Sequence, residues 1–321
     1  MTVRWGFLGA GWIASAALAP AVEAASGATL HAVAARDVAR ARSLRPVSAY
    51  GDYGELLADD QVDAVYISLT NEQHRPWAIA AMRAGKAVLC EKPLALTAAE
   101  VDEMTAVSVE TGQLLVEALW YRWHPRVRLA QQRLAEIGPV RHVAAGFTFD
   151  ARLDGNYRLE PERGGGALYD VGCYAVSACL WAVGRVPVEV SAQSTFGSTG
   201  VDLTTEAIFE WDGVQAEVRA GIQGSTGQWL VITGERGEIE LRDAPFTSWT
   251  DDDTELWVSD GRDTERQPVP PANAYQLMVE EVSSVISGGV GWVLPLAESR
   301  DTAAVLDAIK ESAASGEPTR L

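Results

Sequence analysis

The chain has 321 residues, 47% of them hydrophobic, with 26 Lys and Arg against 44 Asp and Glu, a formal balance of −18. That length exceeds the usual single-domain size and predicts two domains, and the acidic balance repels nucleic-acid backbones and anionic membrane surfaces. No basic leader opens the chain and no run of about 18 apolar residues interrupts it, which predicts neither export nor membrane spanning and points to a cytoplasmic protein. Cys90, Cys173 and Cys179 are odd in number and sit among apolar residues, as reduced thiols do. His31, His74, His124 and His142 lack metal-ligand spacing, so neither a disulfide nor a metal site is expected.

Val3 to Leu8 reads as a buried strand, followed by Gly9-Ala10-Gly11-Trp12-Ile13-Ala14 and helix formers to about Ala25. Strand, glycine-rich turn and helix form a dinucleotide fingerprint. The first glycine permits the tight turn, the second lets the backbone approach a pyrophosphate, and the helix start supplies N–H donors. Gly9, Gly11, Trp12 and Ile13 are therefore candidate cofactor contacts. Further apolar runs at Thr29 to Ala35, Ala64 to Ile67, Ala87 to Cys90 and Leu114 to Leu119 alternate with helical patterns, the signature of a parallel sheet. After the second run come Arg36 and Asp37. An acidic residue there grips the ribose of NAD, whereas arginine accepts the 2′-phosphate of NADP. Asp37 reads as the N-cap of a helix from Val38 to Leu44, so NADP(H) is expected over NAD(H).

Cys90-Glu91-Lys92-Pro93 ends the fourth of these five strands. In such sheets the residue past a strand's carboxyl end faces the ligand crevice, which makes Lys92 a candidate for chemistry. Thr97-Ala98-Ala99-Glu100 has capping-box spacing and marks a helix start. Beyond residue 120 a helix is predicted near Arg126 to Ile137. Alternation at 214–220 and 238–242 then predicts antiparallel strands with one buried face. Gly164 to Gly166 read as a flexible lead-in to a helix from Ala167 to Ala182, on which Asp170 and Tyr174 are i and i+4 and share a face. Trp211, Trp229, Trp249 and Trp257 serve either a subunit contact or the core, and Asp251-Asp252-Asp253 reads as a solvated turn. Helices from about Tyr275 to Ile286 and Ala297 to Ala314 end the chain, giving expected domains of 1–120 and 121–321.

With Thr70-Asn71-Glu72-Gln73-His74 and the segment Gly164 to Tyr174 added, these motifs resemble the glucose-fructose oxidoreductase and inositol dehydrogenase family, Gfo/Idh/MocA, over nearly the whole chain. Glu117 to Pro125 and Asn156 to Leu159 resemble its subgroup of dihydrodiol dehydrogenases, D-xylose dehydrogenases and nucleotide-sugar 3-ketoreductases. The resemblance implies an N-terminal Rossmann domain and a C-terminal α/β domain on a mostly antiparallel open sheet. It implies an NAD(P)-dependent oxidoreductase for a secondary alcohol or ketone of a sugar, polyol or cyclic diol. Thr70, Asn71, His74, Glu91 and Lys92 would join the cofactor contacts.

Tyr174 occupies the family's proton-transfer position, where histidine is common. Lys92 would orient substrate and lower the phenol's pKa, and Asp170 would bind substrate hydroxyls beside Arg158 and Tyr121. Whether Tyr174 or Lys92 passes the proton is open. The absence of Tyr-x-x-x-Lys excludes a short-chain dehydrogenase arrangement. A homodimer or homotetramer through the C-terminal sheet is expected. Two other functional readings stand beside this one: a non-catalytic cofactor-binding sensor or co-regulator, and a glycosidase working by transient oxidation.

Overall fold

The computed structural model describes residues 1–151, 155–242, 245–248 and 253–321; Trp249, Asp251 and Asp252 lie outside the described residues. The chain forms two compact units. The first comprises Met1–Ala95, Ala99–Trp120 and Asn273–Ser299; the second comprises Leu96–Ala98, Tyr121–Ala272 and Arg300–Leu321.

The first unit is built on six parallel strands: β1 (Val3–Leu8), β2 (Ala28–Ala34), β3 (Ser48–Tyr50), β4 (Ala64–Ile67), β5 (Ala87–Cys90) and β6 (Leu115–Glu117). Their order is β3-β2-β1-β4-β5-β6. All of β4 and β5 is buried, as expected for parallel strands covered on both faces. The order reverses between β1 and β4, and ligands of such sheets bind outside the carboxyl ends at that switch. The edge strand β3 escaped the sequence reading because Ser-Ala-Tyr is too short and too polar to register as an apolar run.

The expected division at residue 120 needs one correction. Helix Ala274–Ile286, expected in the second domain, belongs to the first unit, packing on β2 and helix Ala19–Ala24. The attachments are specific. Trp5 Nε1 donates to Ser283 Oγ at 3.1 Å, Tyr275 stacks on Trp120 with centroids 4.8 Å apart, and Ser26 N–H donates to Glu280 at 2.9 Å. Asn273 caps the helix through the N–H groups of Tyr275 and Gln276.

The second unit carries a nine-stranded sheet. Its strands are β7 (Val140–Thr148), β8 (Glu189–Phe196), β9 (Asp202–Trp211), β10 (Val214–Gly221), β11 (Gly227–Gly234), β12 (Glu238–Glu240), β13 (Thr254–Ser259), β14 (Thr264–Val269) and β15 (Thr319–Arg320). The order is β14-β13-β12-β11-β7-β10-β9-β8-β15, antiparallel throughout except for the β7–β10 pair. Along β9 the alternation is strict: Ala207, Phe209 and Trp211 are buried, while Glu206, Ile208 and Glu210 face out. Helix Cys173–Val183 covers the inner face and is itself almost wholly buried. An 18-residue window within Pro161–Val183 is apolar enough by mean hydropathy, 1.3, to match a membrane span, yet 89% of that window is buried within the protein, as befits a core helix. All three cysteines are buried free thiols.

The described tryptophans of this sheet differ in their surroundings. Trp211 is in the core, its indole N–H donating to Arg185 O at 3.0 Å. Trp257 has the guanidinium groups of Arg242 and Arg266 over its ring, 4.7 and 5.5 Å from the centroid. Trp229 covers Gly146 on the neighbouring strand, where a Cβ would fall 2.1 Å from the indole. It lines a groove of about 960 Å³ on the sheet's outer face, with Ala144, Gln193, Ile208 and Arg219.

Candidate active site

In the first unit the fingerprint turn is shaped for a pyrophosphate. Gly9 has φ +103°, and a Cβ on it would lie 2.7 Å from Ser68 O, so this glycine serves both the turn and the close passage of the chain after β4. At Gly11 a Cβ would meet nothing nearer than Ser68 O at 3.9 Å, leaving the backbone open to a ligand. Ala14 is fully buried, as the third fingerprint position requires for helix packing. Ile13 is partly buried and Trp12 is 71% exposed.

Asp37 caps helix Val38–Ser43 by accepting from Ala39 N–H at 2.9 Å, while Arg36 is exposed beside it. Sequence reasoning missed Arg40, whose guanidinium donates to Ala10 O of the glycine turn at 2.6 Å. Both arginines act on one place: burial raises the Tyr53 phenol pKa, and the charges of Arg36 and Arg40 oppose that rise. Arg40 thus lies against the fingerprint turn, and Arg36 is exposed one residue ahead of the Asp37 cap. Arg40 was legible only as the fourth residue after Arg36, on a helix whose start the sequence did mark.

At the ends of β4, β5 and β6 several polar side chains are buried. Asn71 is 5% exposed and Thr70 Oγ1 donates to Glu72 at 2.8 Å. Two residues expected as cofactor contacts have their side chains turned elsewhere. His74 is fully buried, with Nδ1 2.8 Å from Pro93 O and Nε2 3.3 Å from Leu69 O, so its ring braces two loops. Glu91 is buried, accepting from Tyr66 Oη at 2.5 Å and from Lys92 N–H at 3.3 Å. Burial lifts the Glu91 carboxyl above its usual range, and the Lys92 charge and the Tyr66 bond oppose that shift. Lys92 itself is partly buried, and its peptide to Pro93 is cis.

In the second unit Asp170 and Arg158 form a bidentate pair, Nε to Oδ2 at 2.6 Å and Nη2 to Oδ1 at 2.9 Å. Burial works against the Arg158 charge, but the Asp170 carboxylate outweighs it and raises the guanidinium pKa. Tyr174 contributes in the same direction. The helix reaches this point through a π-helical turn, Leu168–Gly172, leading into Cys173–Val183. Such turns recur at functional sites.

Tyr174 is 5% exposed and packs against Tyr121 and Phe147, with centroids 5.8 and 5.7 Å away. Tyr121, expected to face substrate, is fully buried. Its hydroxyl donates to Ser177 Oγ at 3.0 Å and accepts from Trp181 Nε1 at 3.1 Å, so it supports the Tyr174 ring from behind.

The glycine lead-in is packed tight, contrary to the flexible reading. A Cβ on Gly165 would lie 2.6 Å from Arg158 O. On Gly166, at φ +111°, it would lie 2.0 Å from Asp202 Oδ1. Asp202 in turn accepts from Leu168 N–H and Thr205 Oγ1, both at 2.8 Å, anchoring the start of the helix that carries Asp170 and Tyr174.

Burial, only partly offset by its backbone carbonyl partners, pushes the His74 imidazole down to about 4. In the unfolded chain it would titrate near 6.5, so the folded state is favoured in full above that pH and loses the advantage as pH falls toward 4. The contribution is about 3 kcal/mol. Urea denaturation of the native chain and of His74→Asn at pH 7 and pH 4 is expected to show their stability difference shrinking by about that amount at the lower pH.

Comparison with known proteins accords with this geometry. The family model described as "Oxidoreductase family, NAD-binding Rossmann fold" matches residues 3–118, and the GFO/IDH/MocA C-terminal domain model matches residues 127–240. The chain is 35% identical to a D-xylose 1-dehydrogenase (NADP(+)) from Haloferax volcanii, over 99% of this chain and 100% of that one. It is 31% identical to the trans-1,2-dihydrobenzene-1,2-diol dehydrogenase of Mus musculus, over 97% of each. Among solved structures, the 3-ketoreductase KijD10 from Actinomadura kijaniata, in complex with NADP and TDP-benzene, superposes with a TM-score of 0.90. That match has 27% identity over 97% of this chain and 98% of the other. The chain belongs to the GFO/IDH/MocA family of NAD-binding oxidoreductases.

Proposed function

We propose that the chain is an NADP(H)-dependent oxidoreductase that interconverts a secondary alcohol and a ketone on a ring bearing adjacent hydroxyls, a sugar or a cyclic diol. The observation that carries this reading is the Arg158 cation fixed by Asp170, four residues ahead of the Tyr174 phenol and its apolar packing on Tyr121 and Phe147. A phenol has an ordinary pKa of about 10, too high for a base near neutrality unless positive charge stabilises phenolate. Arg158 supplies such a charge. The xylose and dihydrodiol substrates named for the relatives support the ring-diol class.

Bound nicotinamide would supply or take up the hydride. Gly9, Gly11 and the helix that follows would hold the pyrophosphate, Arg36 and Arg40 the 2′-phosphate, and Thr70 and Asn71 the neighbouring part of the cofactor. Tyr174 gives its hydroxyl proton to the substrate oxygen on reduction and takes it back on oxidation. In the first unit Lys92 serves as the catalytic cation; in the second the exposed part of Arg158, 27% of its side chain, meets substrate oxygens.

Tyr174→Phe is expected to lose about 10²–10⁴-fold in turnover with NADP(H) affinity kept, and unchanged turnover would remove the phenol from the chemistry. Arg36→Ala and Arg40→Ala are each expected to weaken NADP⁺ binding about tenfold or more while leaving NAD⁺ binding nearly unchanged; equal losses for both dinucleotides would contradict the 2′-phosphate assignment. The outer face of the second unit's sheet, with Ile208 42% exposed over the groove, is proposed as a homodimer or homotetramer contact. Sedimentation equilibrium at micromolar concentration is expected to give an oligomer that Ile208→Lys dissociates, whereas a native monomer would refute the contact.

A further inference from the structure

The backbone around Lys92 is held in an unusual way. The parallel ladder runs out at Glu91, whose N–H donates to Ile67 O at 3.0 Å, and at Ala118, whose N–H donates to Cys90 O at 2.7 Å. Over the next three residues, side chains bind the backbone. Glu91 takes the Lys92 N–H, His74 Nδ1 lies 2.8 Å from Pro93 O, and Glu117 Oε1 accepts from Leu94 N–H at 3.0 Å. Glu91 begins the loop itself, His74 starts a helix and Glu117 ends β6, and they are 7%, 0% and 1% exposed. Burying two carboxylates and an imidazole under one short loop is costly, and a loop with no positional demand would be served by water or by backbone partners.

We propose that Glu117 and His74 are positioning residues for Lys92, fixing the backbone just after it so that its ammonium is presented in one place. With its short contact to Pro93 O, Nδ1 carries the ring proton of the neutral imidazole and donates. Glu117 accepts from the following residue, so donor and acceptor grip the loop with opposite polarity. The sequence marked His74 and the segment beginning at Glu117 only by resemblance, and neither was assigned this task. The inference rests on the proposed role of Lys92, and the experiment separates the two.

The chain has only three lysines, Lys86, Lys92 and Lys310, so lysine labelled with ¹³C at Cε gives a three-signal NMR spectrum of the full-length protein, with Lys92→Ala assigning the central one. Lys86 Nζ donates to Asp59 O and Val62 O, both at 2.8 Å, and reports on the first unit's fold. Lys310 Nζ donates to Tyr169 Oη at 2.6 Å and reports on the second. Glu117→Ala is expected to shift and broaden the Lys92 signal alone, and Glu117→Gln, which retains an acceptor for Leu94, to restore it. Should Glu117→Ala not fold, Glu117→Asp carries the same expectation, because its carboxylate is drawn back by one methylene. An unmoved Lys92 signal in the folded variant, or equal displacement of all three signals, would overturn the positioning role. In turnover with D-xylose, or whichever ring diol the native protein oxidises, the variant is expected to lose about 10–100-fold, the scale of a small misplacement. That loss should vanish in the Lys92→Ala background; a loss undiminished there overturns the inference. If Lys92→Ala keeps full turnover, the catalytic role of Lys92 fails, whatever the lysine spectrum shows.

Discussion

Every functional feature of the first unit follows from one constraint: a buried parallel strand must end, and its backbone hydrogen bonds must then be met by something other than the next strand. At β1 the answer is Gly9, which turns the chain against Ser68 and aims a helix start at the place where β1 and β4 part. At β2 it is Asp37, which caps the next helix and leaves Arg36 exposed beside it. At β5 it is a set of buried side chains around Lys92. Three strand ends on one edge of the sheet thereby acquire an open glycine turn, an exposed arginine and a lysine on a loop held by buried side chains.

The second unit reaches its chemistry by packing. Its sheet buries one face under helix Cys173–Val183, and the π-helical turn before that helix carries Asp170, whose carboxylate clamps Arg158. The clamp is possible because Gly165 and Gly166 let the lead-in segment run against Arg158 O and Asp202. A cation is costly to bury, and a bidentate carboxylate offsets that cost while fixing the guanidinium's direction. Tyr121 and Phe147 pack against the Tyr174 ring and set its place. A charge preorganised as that of Arg158 is worth more than the same charge free in water.

Much of this was legible in the sequence because it is local. Apolar runs located β1, β2, β4, β5 and β6, alternation located β10 and β12, and the Asp37 cap followed from an aspartate ahead of a helical stretch. What escaped depends on contacts distant along the chain or on where a side chain points. The allegiance of helix Ala274–Ile286 rests on Trp5 and Ser283, 278 positions apart. Glu91, His74 and Tyr121 stand in their motifs as expected, but their bonds to Tyr66, Pro93 and Ser177 could not be read there. A residue's place in a motif does not tell whether its side chain meets the ligand or the residue beside it. Gly164 to Gly166 show the same limit: glycine reads equally as freedom or as the absence of room, and here Arg158 and Asp202 decide for the latter.

The central claim is hydride exchange with a ring alcohol, and isotope transfer tests it most directly. NADPH deuterated at the reactive nicotinamide carbon would be incubated with a panel of keto-sugars and cyclic hydroxyketones, and the products read by mass spectrometry and NMR. The account predicts deuterium on the new carbinol carbon of at least one ring product. Tight NADPH binding with no deuterium delivered to any member, while sugars still bind, would contradict it and make the chain a cofactor-dependent sensor.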